Sequence, residues 1–306
     1  MLIRFPVLVL ALACAVSVIA ASPYVVVLGI GQDAGVPQIG CDSPFCRQAW
    51  ADERLRQTVS SIALVDPDTK SRWIIDATPD LPEQFEFLKQ ITGDRTNNIT
   101  GIFLTHAHIG HYTGLMYLGR ESMNSKDVKV YAMPRMKQML EQNAPWSQLV
   151  GLKNISLQLL VDKGEVWLND RLTVEPFLVP HRDEFSETVG YRIRSRSKTL
   201  IFIPDIDKWQ KWQTPLEDVV KTADYLLLDG TFYADGEIPR PMSEVPHPFV
   251  SETMNMLKAL SRKDRAKVYF IHFNHSNPLV QGDKKALKEL RRRGFRMTQS
   301  GLRLRL

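Results

Sequence analysis

Cysteine is scarce in this chain. Of 306 residues only Cys14, Cys41 and Cys46 are cysteines, too few for the disulfide frameworks that hold small secreted scaffolds together. Long apolar runs are equally scarce. One stretch, residues 5–18, stands out, and it falls short of the ~20 residues that a membrane-spanning helix needs. Repeats, low-complexity tracts and Gly/Ser linkers are missing, which excludes solenoids and favours one domain over two. Charge imbalance is small as well: 39 Lys and Arg against 34 Asp and Glu give a formal +5. Much of that excess lies in Lys284, Lys285, Lys288, Arg291, Arg292 and Arg293. Ala286, Leu287 and Leu290 set a helical apolar stripe between them, so a solvated helix face accounts for the charges and no nucleic-acid partner is expected.

The apolar run at 5–18 has Arg4 before it and Ala20, Ala21 and Ser22 after it. A basic start, an apolar centre and a small-residue exit form the pattern of a secretory signal peptide. Residues 1–21 are therefore expected to be removed, leaving 22–306 in the periplasm or outside the cell, without stable membrane association. A retained N-terminal anchor is the alternative. An oxidising compartment would permit Cys41 and Cys46 to pair, although the loop between them is short.

Short apolar strands are expected at 24–28, 61–65, 73–76, 101–104, 128–132, 172–179, 190–193, 200–203, 225–228 and 268–273. Helical periodicity marks 82–91, 112–118, 134–142, 250–260 and 284–293. Strands with helices interspersed in both halves point to sheets covered by helices. Polar residues fall at regular places: Asp76, His106, His181, Asp205 and His272 each lie at or just past the end of an apolar strand. Strand-end loops on a rigid scaffold are a common place for a site.

The most informative stretch is Thr105-His106-Ala107-His108-Ile109-Gly110-His111, which puts three of the seven histidines within six residues. Two histidines leaving a strand and a third at the mouth of a helix can turn toward one point. Converging neutral imidazoles are what zinc and similar metals select, so a metal site is expected here rather than a His-rich surface loop. Taken singly, the other candidates are ambiguous: His181 is a loop histidine, Asp205 a turn former, and His272 a strand residue on the side of Val268 and Phe270.

Together these residues resemble the metallo-β-lactamase superfamily. Its HxHxDH motif, strand-end His, strand-end Asp and late His are matched in order by His106, His108, His111, His181, Asp205 and His272, and its early acidic residue by Asp76. The resemblance implies an αββα sandwich of two mixed β-sheets flanked by helices. It implies a first metal on His106, His108 and His181, a second on His111 and His272, and Asp205 shared between them. Asp76 would organise the loop behind the metals. A finer resemblance, to the branch holding the pyrroloquinoline-quinone biosynthesis protein B and the phosphonate-breakdown cyclic phosphodiesterase, rests on three segments: 35–46, 227–232 and 272–278.

Two departures stand out. Ser43 occupies the middle of what is C-x-C-x-x-C in that branch, which puts a structural zinc on Cys41 and Cys46 in doubt and leaves a disulfide or free thiols. Gly110 stands where the motif has Asp, so the second metal loses a carboxylate; His275 or Asp183 are candidates to replace it, and Gly110→Asp is expected to raise second-metal occupancy. The resemblance implies one or two zinc ions, with manganese or iron as alternatives, and hydrolysis of a small phosphodiester or ester. Asp205 would orient the attacking water, and His247 and His275 are candidate proton donors or substrate contacts. An iron-dependent oxidative enzyme of the cofactor-biosynthesis kind and a non-catalytic metal- or ligand-binding relative are the other readings. Whether the chain acts as a monomer or a homodimer stays open.

Overall fold

The computed structural model describes residues 21–306; the expected leader lies outside these residues except for its last position. Among the described residues, fourteen strands form two sheets of seven. Along the chain, β1 (Tyr24–Gly29), β2 (Ser61–Asp66), β3 (Ser71–Ile75), β4 (Gly101–Phe103), β5 (Val128–Ala132) and β6 (Ile155–Leu159) build the first sheet. Then β7 (Val166–Trp167), β8 (Leu172–Leu178), β9 (Val189–Ser195), β10 (Thr199–Ile203), β11 (Tyr225–Asp229), β12 (Val268–Ile271) and β13 (Arg296–Met297) build the second. Strand β14 (Arg303–Arg305) returns to pair antiparallel with β1. Each sheet is antiparallel in its first half and parallel in its second. β1 to β3 run antiparallel and β3 to β6 parallel; β7 to β10 run antiparallel and β10 to β13 parallel.

Parallel neighbours need a crossover, and helices supply it. The nine helices are α1 (Pro44–Ala51), α2 (Leu81–Thr92), α3 (Ile109–Tyr112), α4 (Pro134–Gln142), α5 (Trp146–Gly151), α6 (Leu216–Thr222), α7 (Val250–Met256), α8 (Arg262–Arg265) and α9 (Lys284–Arg292) among the described residues. Side-chain alternation divides the strands between two cores. Val25, Val27, Ile62, Leu64, Trp73, Ile75 and Phe103 face the second sheet and meet Val174, Tyr191 and Phe202. Val26, Leu28, Ala63, Val65, Ile74 and Ile102 face the other way, onto Leu81 and Leu88 of α2 and onto Met136, Leu140 and Leu149 of α4 and α5. Val219, Val250, Met254 and Leu290 cover the outer face of the second sheet. The order is helix, sheet, sheet, helix, as the resemblance implied.

Differences from the expected elements lie at ends and edges. The strand expected at 268–273 ends at Ile271, because His272 turns into the left-handed region at φ 66°; alternation therefore does not set the direction of that ring. The helix expected at 112–118 is the single turn α3 followed by a 3₁₀ stretch, Thr113–Leu118, and the one at 250–260 changes to 3₁₀ at Leu257–Ala259. Strands β6, β7, β13 and β14 and helices α1, α5, α6 and α8 carried no clear pattern, being short or half exposed. Helix α1 is opened by Ser43, whose hydroxyl accepts from the Cys46 amide at 3.2 Å. The residue that breaks the cysteine pattern is thus a helix N-cap. No helix among the described residues is long and apolar enough to cross a membrane.

Tyr191 on β9 ties the sheets together where the histidine loop begins. Fully buried, its phenol donates to the Leu104 carbonyl at the end of β4. Tyr191→Phe should cost about 1–2 kcal/mol, seen as a Tm lower by roughly 2–8 °C at constant metal content. An unchanged Tm would mean that this bond does not hold the edge.

Candidate metal centre

Pairing directions place the C-terminal ends of β1, β3 and β4 and of β8, β10, β11 and β12 on one edge of the molecule. Every polar residue marked out in the sequence gathers there. Asp76 directly follows β3 and His272 directly follows β12, and both hold left-handed backbone, φ 70° and 66°. For non-glycine residues that conformation costs roughly 1–3 kcal/mol and persists only where the surroundings enforce it. Here the Asp76 amide donates to the Phe103 carbonyl at 2.8 Å, and the Phe273 amide, just past His272, donates to Ile30 at 2.7 Å.

Four donor atoms form the first group. His106 Nε2 lies 2.8 Å from His108 Nδ1, and His181 Nε2 lies 3.3 Å from the same atom. Asp205 Oδ2 stands 3.3 Å from both His106 Nε2 and His181 Nε2 and 3.9 Å from His108 Nδ1. Four ligands ~2.0–2.1 Å from a tetrahedral zinc stand about 3.3 Å apart, so these edges match such a cage. A second group shares Asp205: His111 Nε2 lies 3.9 Å from Asp205 Oδ2 and 3.3 Å from Asp33 Oδ1, and His272 Nε2 lies 3.9 Å from Asp33 Oδ1.

Buried lone pairs without partners provide the test of fit. His111 Nε2, His272 Nε2 and Asp33 Oδ1 are all buried with no hydrogen-bond partner. Groups of this kind normally find one, since leaving them unmade is expensive. Acceptors pointed at a common centre are what a divalent cation requires, and the donor set of five histidines and two aspartates fits one.

The outward nitrogens of four of these histidines are held in turn, while His181 Nδ1 is buried without a partner. His106 Nδ1 meets Thr105 Oγ1 at 3.0 Å, and that hydroxyl and the Thr105 amide donate to Asp76. His111 Nδ1 donates to Asp76 Oδ2 at 2.8 Å. His272 Nδ1 meets Thr231 Oγ1 at 2.9 Å, and Thr231 donates to Asp229 Oδ1 at 2.7 Å. His108 is turned the other way, with Nε2 on Glu184 at 3.2 Å and Nδ1 inward. These contacts fix the tautomer and leave the inward nitrogen its lone pair. Asp76 lies behind the candidate ligands, bonded by Thr105 and His111.

Charges follow the same plan. Burial and the neighbouring His111 keep His106 neutral, well below the usual imidazole range. Burial opposes charge on His111 too, yet the carboxylates of Asp76 and Asp33 hold it well above that range in the absence of a metal. Against burial, His181 and His247 keep Asp205 ionised, and the adjacent rings of His111 and His272 do the same for Asp33.

His247, fully buried, places Nδ1 2.9 Å from Asp229 Oδ2 and 3.3 Å from Asp205 Oδ1. Burial works against its charge, but Asp229 and Asp205 lift it to about 9. Its ring forms part of the wall of a pocket of about 430 Å³, together with Gln32, Asp33, Gln38, Arg182, Arg240 and Phe232. His275 lines the same pocket away from both donor groups, beside Cys41 and Cys46, which form a disulfide with Cα atoms 5.9 Å apart. Neither residue put forward to replace the missing carboxylate does so, because the Asp183 carboxylate is bonded by Thr188 at 2.7 Å and His275 stands off. Three residues escaped the sequence reading. Asp33 lies in a loop with no motif; Asp229 and Thr231 were in view only inside the 227–232 segment.

A model of the beta-lactamase superfamily domain matches residues 71–273. The chain belongs to this superfamily. It is 26% identical to the coenzyme PQQ synthesis protein B of Methylorubrum extorquens (strain PA1), covering 92% of this chain and 99% of that protein. The protein of the same name from Gluconacetobacter diazotrophicus is 27% identical, with 91% and 98% covered. The fold is that of zinc-bound PqqB from Methylobacterium extorquens, at TM-score 0.78, 24% identity and 92% of this chain over 100% of that one. A diphosphatase of the PhnP family shares it at TM-score 0.66 and 22% identity, with 94% and 98% covered.

Two outcomes follow for this member of the superfamily. Thr231→Val frees the His272 ring and should weaken metal binding about 10–100-fold in competition with a chromophoric chelator; unchanged affinity would exclude the orienting role. Glu237 caps the Tyr233 and Ala234 amides beside the pocket, and burial lifts its carboxyl to about 7 from 4.5. A raised acid stabilises the fold below its unfolded value and loses that contribution as pH climbs to the folded one. The Tm of the wild type should therefore fall relative to that of Glu237→Gln between about pH 4.5 and about 7; parallel curves would refute this.

Proposed function

We propose that the protein is a metal-dependent hydrolase of a small anionic phosphodiester or ester. The single observation that carries this reading is the position of Asp205. One of its carboxylate oxygens lies beside both donor groups, and the other lies 3.3 Å from Nδ1 of a protonated His247, which lines a pocket with Arg182 and Arg240 in its wall. A metal held by His106, His108 and His181 would supply Lewis acidity and lower the pKa of water toward ~7.

The chain's own residues would do the rest. Asp205 orients a water and accepts its proton. His247, held as a cation by Asp229, stands on the pocket side and can deliver a proton to the departing oxygen. Arg182 and Arg240 suit an anion, since guanidinium forks pair with phosphate or carboxylate oxygens. The apolar part of the wall, with Phe232, Ile238 and Val245, takes the remainder of a small molecule.

A second reading, an oxidative iron enzyme of the cofactor-biosynthesis kind, is supported by the end-to-end likeness to the PQQ synthesis relatives. Metal identity and substrate separate the two. Protein purified without added metal or chelator should contain zinc or manganese and cleave bis(p-nitrophenyl) phosphate or a related ester panel. Iron as the resident metal, with no ester turned over by any metal-loaded form, would overturn hydrolysis in favour of oxidation. Within the hydrolytic reading, His247→Ala should lower kcat by about 10²–10⁴ with metal content unchanged; full activity would remove His247 from the mechanism.

A further inference from the structure

We infer that Asp33 is a metal ligand, and that it supplies to the second metal position the carboxylate that Gly110 leaves out. The inference rests on reading the site as a metal centre and extends it to a residue on a different element.

Three buried atoms define the position. Asp33 Oδ1, His111 Nε2 and His272 Nε2 face one another at 3.3 and 3.9 Å, and none has a hydrogen-bond partner. Asp33 Oδ1 and His111 Nε2 come within ion-pair distance without the alignment of a hydrogen bond, as expected of two ligands aimed at a third body between them. Asp205 Oδ2 closes the group from the other side at 3.9 Å from His111.

Steric facts link this group to Gly110. A Cβ on Gly110 would lie 2.4 Å from Asp33 Oδ1 and 2.6 Å from Asp33 Cα. Real Cβ atoms do not approach so closely, so a side chain at 110 and the present course of the 30–36 loop exclude each other. The space that a carboxylate rising from α3 would occupy is filled by Asp33. Its loop is fastened where the ligands are: Gln32 N donates to Phe273 O at 2.9 Å, directly after His272, and Phe273 N returns to Ile30 O at 2.7 Å. Gly35, at φ 70°, completes the turn that sends the chain away, with its amide on Gln32 O at 2.6 Å. Asp33 is thereby placed by the same backbone that places His272.

The geometry also reverses an expectation from the motif. Adding a carboxylate through Gly110→Asp does not complete the second position but drives the Asp33 loop out of it, and Gly110→Ala does the same without offering any ligand.

The test counts metal rather than turnover. The full-length protein is stripped with chelator and titrated with Zn²⁺, with stoichiometry read by elemental analysis and by calorimetry, alongside Asp33→Ala, Asp33→Asn and Gly110→Ala. Wild type should take two ions. Asp33→Ala and Asp33→Asn should keep the first and bind the second more than ~100-fold more weakly, beyond the ~10–100-fold that loss of an orienting contact costs. Gly110→Ala should show the same selective loss. A melting curve of the stripped forms checks that Asp33→Ala folds; Asp33→Asn, equal in size, covers the case where it does not. Two ions held with wild-type affinity by both Asp33 variants would overturn the inference. A single ion in the wild type would also overturn it while leaving the metal centre standing, and no ion in any form would overturn the metal reading itself.

Discussion

Everything at this edge of the molecule depends on one buried carboxylate. Asp205 is 2% exposed, yet it lies within 3.9 Å of ring nitrogens from His106, His108, His111, His181 and His247. An ionised carboxylate so deep in protein is tolerable only with strong compensation. His181 and His247 supply part of it, and a cation between the rings and the acid would supply the rest. Fold, protonation and metal binding are therefore a single electrostatic problem. The sandwich brings the acid and the rings together, and the cation makes their proximity favourable.

The two sheets meet that requirement with matched devices. Under the first sheet, Asp76 grips Thr105 and His111; under the second, Asp229 grips Thr231 and His247. Each threonine hydroxyl donates to its aspartate and receives a histidine Nδ1, so an acid buried one layer down aims an imidazole one layer up. The left-handed residues Asp76 and His272 sit at equivalent places, each one step beyond a strand of a parallel half-sheet. Such a turn lets a side chain leave the pleat and point along the strand axis, which a further strand residue could not do. Strain here is a consequence of where the ligands have to be.

How much of this was legible in the sequence depends on whether a residue's neighbours are near in the chain. Sheets covered by helices, the histidine cluster at 106–111 and the strand-end places of Asp76, His181, Asp205 and His272 stood out from the apolar runs, while the sandwich and the ligand set came from the resemblance to the superfamily. His247 could be named but not placed, since Pro246 and Pro248 gave no element to hang it on. The end of β12 was misjudged by two residues, because the apolar run continues through Phe273 while the backbone turns at His272. Asp33 was invisible. Its partners are 78 and 239 positions away, as the numbers of His111 and His272 show, and no periodicity within Gln32-Asp33-Ala34 marks it. Only packing reveals that the space beside Gly110 is already taken.

The two metal positions therefore differ in the stiffness of their support. Every protein donor of the first is buried or nearly so: His106 and Asp205 at 2%, His181 at 0% and His108 at 14% side-chain exposure, each at the end of a strand or the start of a helix. At the second, His111 and His272 are fully enclosed, while Asp33 is 26% exposed and rides on a loop that also lines the pocket. A ligand on a helix turn is fixed by that turn's hydrogen bonds; a ligand on a loop moves with whatever the loop touches. Gln32 and Ala34 flank Asp33 in the pocket wall. With Asp33 in place of a carboxylate on α3, the second position would keep its number of donors but have one of them on a loop that lines the pocket, while the donors of the first are held by the sheets.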